Sequence, residues 1–391
     1  MKIFVTRIGV TSAIGLNTEE NLNSLISGQT GIKKSKQHDL MLGEVKLTDE
    51  AIIEKFNLPK KDFSRTTLLG LLAAKEAWDN NKTNPNIRTG FISATSAGGM
   101  DKMEKYYFEF TQNENNSGTH PLLVHDNGST SENIAKELGL SGYIGTISTA
   151  CSSGANAIMH GGRLIAAGKL DRVLVGGSDP IIQYNRKGFS SLNIYAKELC
   201  KPFDDLRKGL NLGEGSGFLL LENEQSISKT GNTPLCILSG WNNSTDAFHQ
   251  TASSANGMGA TLSMKRALKK ANISADKISY INAHGTGTRN NDLSESIAIQ
   301  NVFGENIPPF SSTKGFTGHT LAAAGAIEAV YSIQAILSNA ILPSLNFTTP
   351  MNETGFVPET TFRVDVNVEH VLSNSFGFGG NCTSLIFSKI T

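Results

Sequence analysis

Ten short β-branched runs, separated by stretches of helical character, set the limits on what this chain can fold into. In the first part they are Ile3-Phe4-Val5, Gly90-Phe91-Ile92-Ser93, Tyr143 to Ser148, Arg172-Val173-Leu174-Val175 and Gly217-Phe218-Leu219-Leu220-Leu221. In the second they are Leu235 to Ser239, Ile278-Ser279-Tyr280-Ile281, Phe310-Ser311-Ser312, Val371-Leu372-Ser373 and Leu385-Ile386-Phe387. Alternation of this kind predicts α/β architecture, with mixed sheets covered by helices. The polar turn Ser228 to Pro234 is the best boundary between two halves, residues 1–232 and 233–391.

A local echo points to duplication. Ser148-Thr149-Ala150-Cys151 leads into a helical run of small residues, Gly154 to Ala167. Ser312-Thr313-Lys314 leads, a few residues later, into Ala322-Ala323-Ala324-Gly325-Ala326 and a long helix to Leu337. Glycine and alanine on both helices allow close packing against sheets, so both are expected between layers. Cys151 sits where strand gives way to helix. At a helix's first turn, unpaired N–H groups and the macrodipole favour an anion, so its thiolate is expected to form at unusually low pH. The alternative for such a residue is a buried small apolar side chain.

Composition narrows the function classes. The 391 residues are 39% apolar and 18% charged, enough for two domains or one large duplicated one. Thirty-five basic residues balance thirty-five acidic ones, which argues against a nucleic-acid or membrane-surface role. Cys151, Cys200, Cys236 and Cys382 show no paired short spacing, so neither a zinc site nor a disulfide framework is suggested, and a reducing, cytoplasmic compartment fits. No apolar stretch reaches the roughly 18 residues a bilayer span needs, and Met1 to Arg7 lacks a signal-peptide core.

Three further segments carry chemistry. Asn282-Ala283-His284-Gly285-Thr286-Gly287-Thr288 follows a strand, which puts His284 on a tight loop at a strand's carboxyl end, where α/β proteins commonly build sites. Ser311 to His319 puts Lys314 and His319 five residues apart across two glycines. A histidine on an exposed loop is otherwise simply solvated. Asn374-Ser375-Phe376-Gly377-Phe378-Gly379-Gly380-Asn381 is glycine-dense after a strand, as an oxyanion hole or moving gate requires. It lacks the Lys-Ser/Thr of a phosphate-binding loop, and Gly213-Glu214-Gly215-Ser216-Gly217 does not fit the dinucleotide fingerprint.

Taken in order, these four segments resemble the elongating β-ketoacyl-acyl-carrier-protein synthases of the thiolase fold. The likeness runs from Arg7-Ile8-Gly9-Val10-Thr11-Ser12 through Lys201-Pro202-Phe203-Asp204 and Gly213-Glu214-Gly215 to Leu385-Ile386-Phe387. It implies a five-layer αβαβα fold of two similar halves, the first carrying the nucleophilic cysteine and the second both histidines and the lysine. It implies an acyltransferase without a bound cofactor, whose substrates ride on the phosphopantetheine of acyl-carrier protein. Cys151 would hold an acyl chain as a thioester, and the N–H groups of Cys151 and Phe378 would hold the oxyanion. His284 and His319 would present neutral N–H groups to the enolate left when a malonyl thioester loses carbon dioxide. Lys314 would order the site with Glu295 as acidic partner, Thr286 and Thr288 would contact the phosphopantetheine arm, and Phe378 would gate the thiol. The family's usual proline after Thr288 is absent: Arg289 is followed by Asn290 and Asn291. Gly209-Leu210-Asn211-Leu212 also departs from the family pattern.

The resemblance further implies a homodimer, or a heterodimer with a chain-length factor, serving fatty-acid or polyketide and polyene elongation. An acidic carrier needs a basic landing site. Lys60, Lys61 and Arg65 form one candidate and Lys265, Arg266, Lys269 and Lys270 another, although such runs are commonly no more than solvated faces. Met103, Tyr106, Tyr107 and Phe108 follow Gly98-Gly99, where the family builds its acyl tunnel; core packing explains them equally. A degradative thiolase would need a second active-site cysteine, for which Cys382 is the comparison.

Overall fold

The computed structural model describes residues 1–36, 38–59, 63–79, 81, 84–112 and 124–390, without the side chains of Phe108 and Glu109. Thirteen strands follow in chain order: β1 (Phe4–Thr11), β2 (Lys33–Lys34), β3 (Met41–Gly43), β4 (Thr89–Ala94), β5 (Tyr143–Ile147), β6 (Arg172–Asp179), β7 (Leu212–Gly213), β8 (Gly215–Glu222), β9 (Cys236–Thr245), β10 (Tyr280–Asn282), β11 (Phe310–Ser311), β12 (His370–Gly377) and β13 (Asn381–Ser388). Every run expected to be extended contributes to one ten-stranded sheet, ordered β11-β10-β12-β13-β9-β1-β8-β6-β4-β5.

That order is a five-strand pattern written twice. β5, β4 and β6 run parallel, and β8 and β1 follow antiparallel. β11, β10 and β12 run parallel, and β13 and β9 follow antiparallel. The two sets join only through Phe4 and Val5 of β1 against Ile237 and Cys236 of β9. β4, β6 and β8 are buried at every position, as strands covered on both faces must be.

Under this duplication, the Cys151 turn after β5 corresponds to the Lys314 segment after β11. Helix Ser153–Ala166 then corresponds to helix Ala324–Leu337. Both touch strands of both sets and so form the middle layer. Helix Arg65–Ala77 covers β1, β6 and β8 on one outer side, and helix Met258–Ala271 covers β9 and β13 on the other, completing αβαβα.

The small residues of the middle helices have a geometric cause. A Cβ on Gly154 would stand 2.8 Å from the Ala326 nitrogen and 2.9 Å from the Ala322 oxygen, and one on Gly325 would stand 2.9 Å from the Ala155 nitrogen. Backbone meets backbone at this crossing, so no side chain can be accommodated. Among the described residues, no helix is long and apolar enough to cross a membrane.

We expect Gly154→Ala to destabilise the fold by about 1–3 kcal/mol, the range for overpacking a close contact. Gly188→Ala, on an exposed helix position with open space around it, should be neutral or stabilising. Thermal and urea unfolding of both variants check this, and equal stability of the two would show that the helix crossing relaxes freely.

Candidate active site

The thiol is presented by a strained turn. Between β5 and helix Ser153–Ala166 the chain passes through Ala150 at a φ of 53°, a left-handed conformation worth about 1–3 kcal/mol of strain for a residue with a side chain. Two hydroxyls hold it. Ser152 Oγ donates to the Thr149 oxygen at 2.7 Å, while Ser153 Oγ donates to the Ala150 oxygen at 2.5 Å and accepts from the Thr149 N–H at 2.7 Å. Gly377 passes alongside: a Cβ there would lie 2.8 Å from the Thr149 oxygen and 3.2 Å from the Cys151 nitrogen.

The acidity of Cys151 differs from the expectation. Burial pushes the thiol up to about 11, against the opposing pull of the Lys314 charge and of the N–H groups of Phe378 and Cys151. The side chain is only 5% exposed, and the helix is capped by Ser152, so Cys151 precedes it. Loss of water around the anion outweighs the partial charges aimed at it. The N–H groups of Cys151 and Phe378 nevertheless lie close enough to the sulfur to favour its anion.

His284 is held from behind by carboxylates on the next helix, Arg289–Phe303. Glu295 accepts the N–H groups of His284 and Gly285 at 2.9 and 2.8 Å through its two oxygens. One turn earlier, Asp292 accepts those of Thr286 and Gly287, and that of Phe203. Asn374 donates to Glu295 at 3.2 Å. Four loop N–H groups are thereby satisfied inside the protein, as a buried loop requires.

Lys314, 1% exposed, sends its ammonium to the His284 carbonyl at 2.5 Å, to His284 Nδ1 at 3.2 Å and to the Glu328 carboxylate. An ammonium only donates, so Nδ1 accepts and the proton of a neutral ring sits on Nε2. Burial holds His284 and His319 well below the usual histidine range, and the Lys314 charge pushes both the same way. Both imidazoles are therefore neutral at physiological pH. Burial raises the Glu328 carboxyl, with Lys314 opposing.

The second histidine meets the sulfur directly. His319 Nε2 lies 3.0 Å from Cys151 Sγ, and the two imidazole rings stand edge to face with centroids 5.4 Å apart. The His319 N–H donates to the Asn211 oxygen at 2.7 Å, which ties its loop to the segment before β7. A cavity of about 570 Å³ opens over this group, lined by Cys151, His284, His319, Thr286, Thr288, Phe376, Phe378 and Phe189 among others. Phe378 stacks on Phe189 with centroids 5.6 Å apart, and the Thr286 and Thr288 hydroxyls share a 2.8 Å hydrogen bond.

Most expected residues thus converge, with four corrections. The acidic partner of Lys314 is Glu328, not Glu295: Glu295 is occupied by the His284 loop, while Glu328 reaches the ammonium from the middle helix. The Cys151 thiol is less acidic than its position beside a helix suggests. Met103 is half-buried on helix Met100–Gln112 and lies outside the cavity lining; Glu104 ties that helix to helix Gln183–Ser191, whose Phe189 does line it, so Met103 stands one helix away. Arg65 is no free landing site, because Asp49 and Glu214 hold it at 2.6 and 2.5 Å. Lys60, Lys61 and the Phe108 side chain lie outside the described residues. Lys265, Arg266, Lys269 and Lys270 are exposed, with Lys270 over the Trp241 ring. Cys382 lines the cavity, but burial pushes its thiol up to about 12.

Glu328, Asp292 and Asn374 were not anticipated. Glu328 had a readable signal, since it is the only charged residue in the apolar run from Ala322 to Leu337, and a carboxylate there must be paired when buried.

Residues 1–226 match the family profile described as "Beta-ketoacyl synthase, N-terminal domain", and residues 235–348 match "Beta-ketoacyl synthase, C-terminal domain". The chain is 31% identical to a "3-oxoacyl-[acyl-carrier-protein] synthase 2" of Staphylococcus aureus, over 100% of this chain and 98% of that one. It is 30% identical to the protein of that name from Vibrio harveyi, over 100% and 99%. Among solved structures it resembles the ishigamide ketosynthase/chain length factor, with a TM-score of 0.93 and 27% identity over 100% and 99% of the chains. It also resembles the ketosynthase ApeO in complex with its chain length factor ApeC from Xenorhabdus doucetiae, with a TM-score of 0.84 and 32% identity over 100% and 98%. With a cysteine and two neutral histidines gathered on this duplicated five-layer scaffold, the chain belongs to the β-ketoacyl synthase family of thiolase-fold condensing enzymes.

Proposed function

We infer that the protein catalyses decarboxylative Claisen condensation between a Cys151-bound acyl chain and malonyl-acyl-carrier protein, giving a β-ketoacyl-acyl-carrier protein. The observation that carries this reading is the 3.0 Å contact between Cys151 Sγ and His319 Nε2, with the His284 ring edge-on beside it.

Loading is an exchange of one thioester for another. The Cys151 sulfur attacks the acyl carbonyl, the oxyanion is held by the N–H groups of Cys151 and Phe378, and the carrier sulfur leaves with the proton that the thiol gives up. His319, with its proton on Nε2, donates to the sulfur as charge grows there. No base is required beyond the two exchanging sulfurs. In the second half, a malonyl thioester loses its carboxylate as carbon dioxide, and the electron pair becomes an enolate. His284 and His319 each donate an Nε2–H to its oxygen; neutral donors stabilise that charge without a proton being transferred. The enolate carbon then attacks the acyl-Cys151 carbonyl, the sulfur departs as thiolate as the new carbon–carbon bond forms, and one proton taken up from solvent restores the thiol.

Thr286 and Thr288 contact the phosphopantetheine arm along the cavity wall, and Phe378, stacked on Phe189, gates the thiol. Acyl-carrier protein delivers both substrates, and no other cofactor takes part. The exposed Lys265 to Lys270 face is the candidate landing site for that acidic partner. β5 forms a free edge of the large sheet with Tyr143 and Ile144 exposed, which supports a homodimer paired along this strand. Pairing with a chain-length factor is the second reading, favoured by two structural relatives that are themselves ketosynthases paired with a chain length factor; condensation by the purified chain alone would argue against it. We place the division between halves at residues 232 and 233. Four unpaired buried thiols support a cytoplasmic setting.

Cys151→Ala should abolish acyl loading, read as loss of the acyl adduct by intact mass spectrometry; labelling that persists on another cysteine would overturn the assignment. His319→Ala should still load, and lose decarboxylation of malonyl-carrier protein by about a hundredfold to a thousandfold, the range for removing one oxyanion donor. A variant that cannot load at all would show that the roles are misassigned. A thiol raised to about 11 is protonated at neutral pH, so carbamidomethylation of Cys151 should keep rising with pH from neutrality through the alkaline range. A plateau reached below pH ~8 would mean that the thiolate forms at ordinary pH after all.

A further inference from the structure

Charge around the cavity is confined to its mouth. Among the described residues no aspartate or glutamate lines it, and the charged lining residues are Lys208 and Arg289, both exposed, whereas the thiol and the two imidazoles at the inner end are buried. The two chain segments that carry these cations are held together on either side of Lys208. Arg207, buried, donates through Nη2 to the Arg289 carbonyl at 3.0 Å, and the Gly209 N–H donates to the Gly287 carbonyl at 3.0 Å. Gly287 keeps that approach close, since a Cβ there would stand 2.9 Å from the Gly209 oxygen. Among the described residues, neither cation has an ion-pair partner. Asp205 and Glu353 border a separate depression that shares Arg289 and Asn290 with the cavity, and they do not line the cavity itself.

The cavity therefore grades from a buried nucleophile, past two threonine hydroxyls, to a pair of unpaired cations. A ligand complementary to that gradient has an acyl thioester at one end, amide groups along its length and a phosphate at the other. We propose that Lys208 and Arg289 form a cationic collar that holds the phosphate of a phosphopantetheine-borne thioester while its acyl end reaches Cys151. The assignment rests on the condensation reading above and adds the residues that recognise the arm's outer end. Arg289 can meet two phosphate oxygens at once with its guanidinium, while Lys208 supplies a point charge beside it. The collar makes recognition depend on the phosphate itself, and salt weakens it because both cations face water.

The test compares loading of Cys151 from matched pairs of acyl-phosphopantetheine and acyl-pantetheine, with acetyl, hexanoyl and decanoyl groups, in wild type, Lys208→Ala/Arg289→Ala and Arg289→Lys. We expect wild type to favour the phosphorylated member by about threefold to tenfold in KM, the range that two exposed ion pairs span. The double variant should lose this preference, and Arg289→Lys should keep part of it. A double variant with the wild-type ratio, or a wild type with no preference, overturns the collar. Parallel measurements with hexanoyl-coenzyme A and hexanoyl-carrier protein identify the source: a KM rise for both supports recognition of the shared phosphate, and a rise for the carrier protein alone means that the two cations meet the carrier's own surface and overturns the collar. Wild-type protein that loads from none of these thioesters defeats the condensation reading, a failure distinct from equal use of both members of a pair. Unchanged thermal stability of the exposed variants is expected, and a fall in stability matching the loss of preference would assign the two residues a structural role.

Discussion

The buried ammonium of Lys314 is the interaction on which the rest of the site depends. It has three acceptors and almost no water: the His284 carbonyl, His284 Nδ1 and the Glu328 carboxylate. A charge in such a place is tolerated only when its partners are well placed, and removal of either partner leaves an unpaired charge, a loss of about 3–5 kcal/mol. The same ion orients His284 through Nδ1 and disfavours a second positive charge on either imidazole. Burial already disfavours a charged imidazole at both positions, and the Lys314 charge adds to that effect without lining the cavity.

The duplication explains how these groups come to share one cavity. Cys151 and Lys314 occupy corresponding places after corresponding edge strands, and the helices behind them cross with backbones in contact at Gly154 and Gly325. Glu328 sits on the helix of the second half and reaches back to Lys314, so the crossing also positions the ion pair. One half supplies the strained Cys151 turn and the other supplies both histidines and the buried ion beside them. The third contribution is glycine: at Gly377 the glycine-rich segment after β12 approaches the Cys151 turn more closely than any side chain would allow.

Desolvation sets the chemical character of the site. It raises the Cys151 thiol and lowers both imidazoles, so the resting groups are uncharged. Such a site gains little from a preformed thiolate and much from donors that are already aimed where charge will appear, because dipoles fixed in a dry cavity need no rearrangement during reaction. The expectation of an acidic thiol failed because it weighed the helix terminus and not the loss of water around sulfur.

The order of chemical segments was legible in the chain itself, as were the ten strands, the paired glycine-rich helices and the choice of Cys151, His284 and His319 as groups that the fold brings together. These features are local, since β-branched runs, turn glycines and motif spacing act through neighbours in sequence. Only the tertiary structure assigned Glu328 as the partner of Lys314, separated Met103 from the cavity, occupied Arg65 in an internal ion pair and put two cations beside each other at the mouth. Each of those outcomes depends on which distant groups share a buried volume, and on how much water remains there. Distance through space and exposure to solvent control charge interactions, and neither is written in the spacing of residues along a chain.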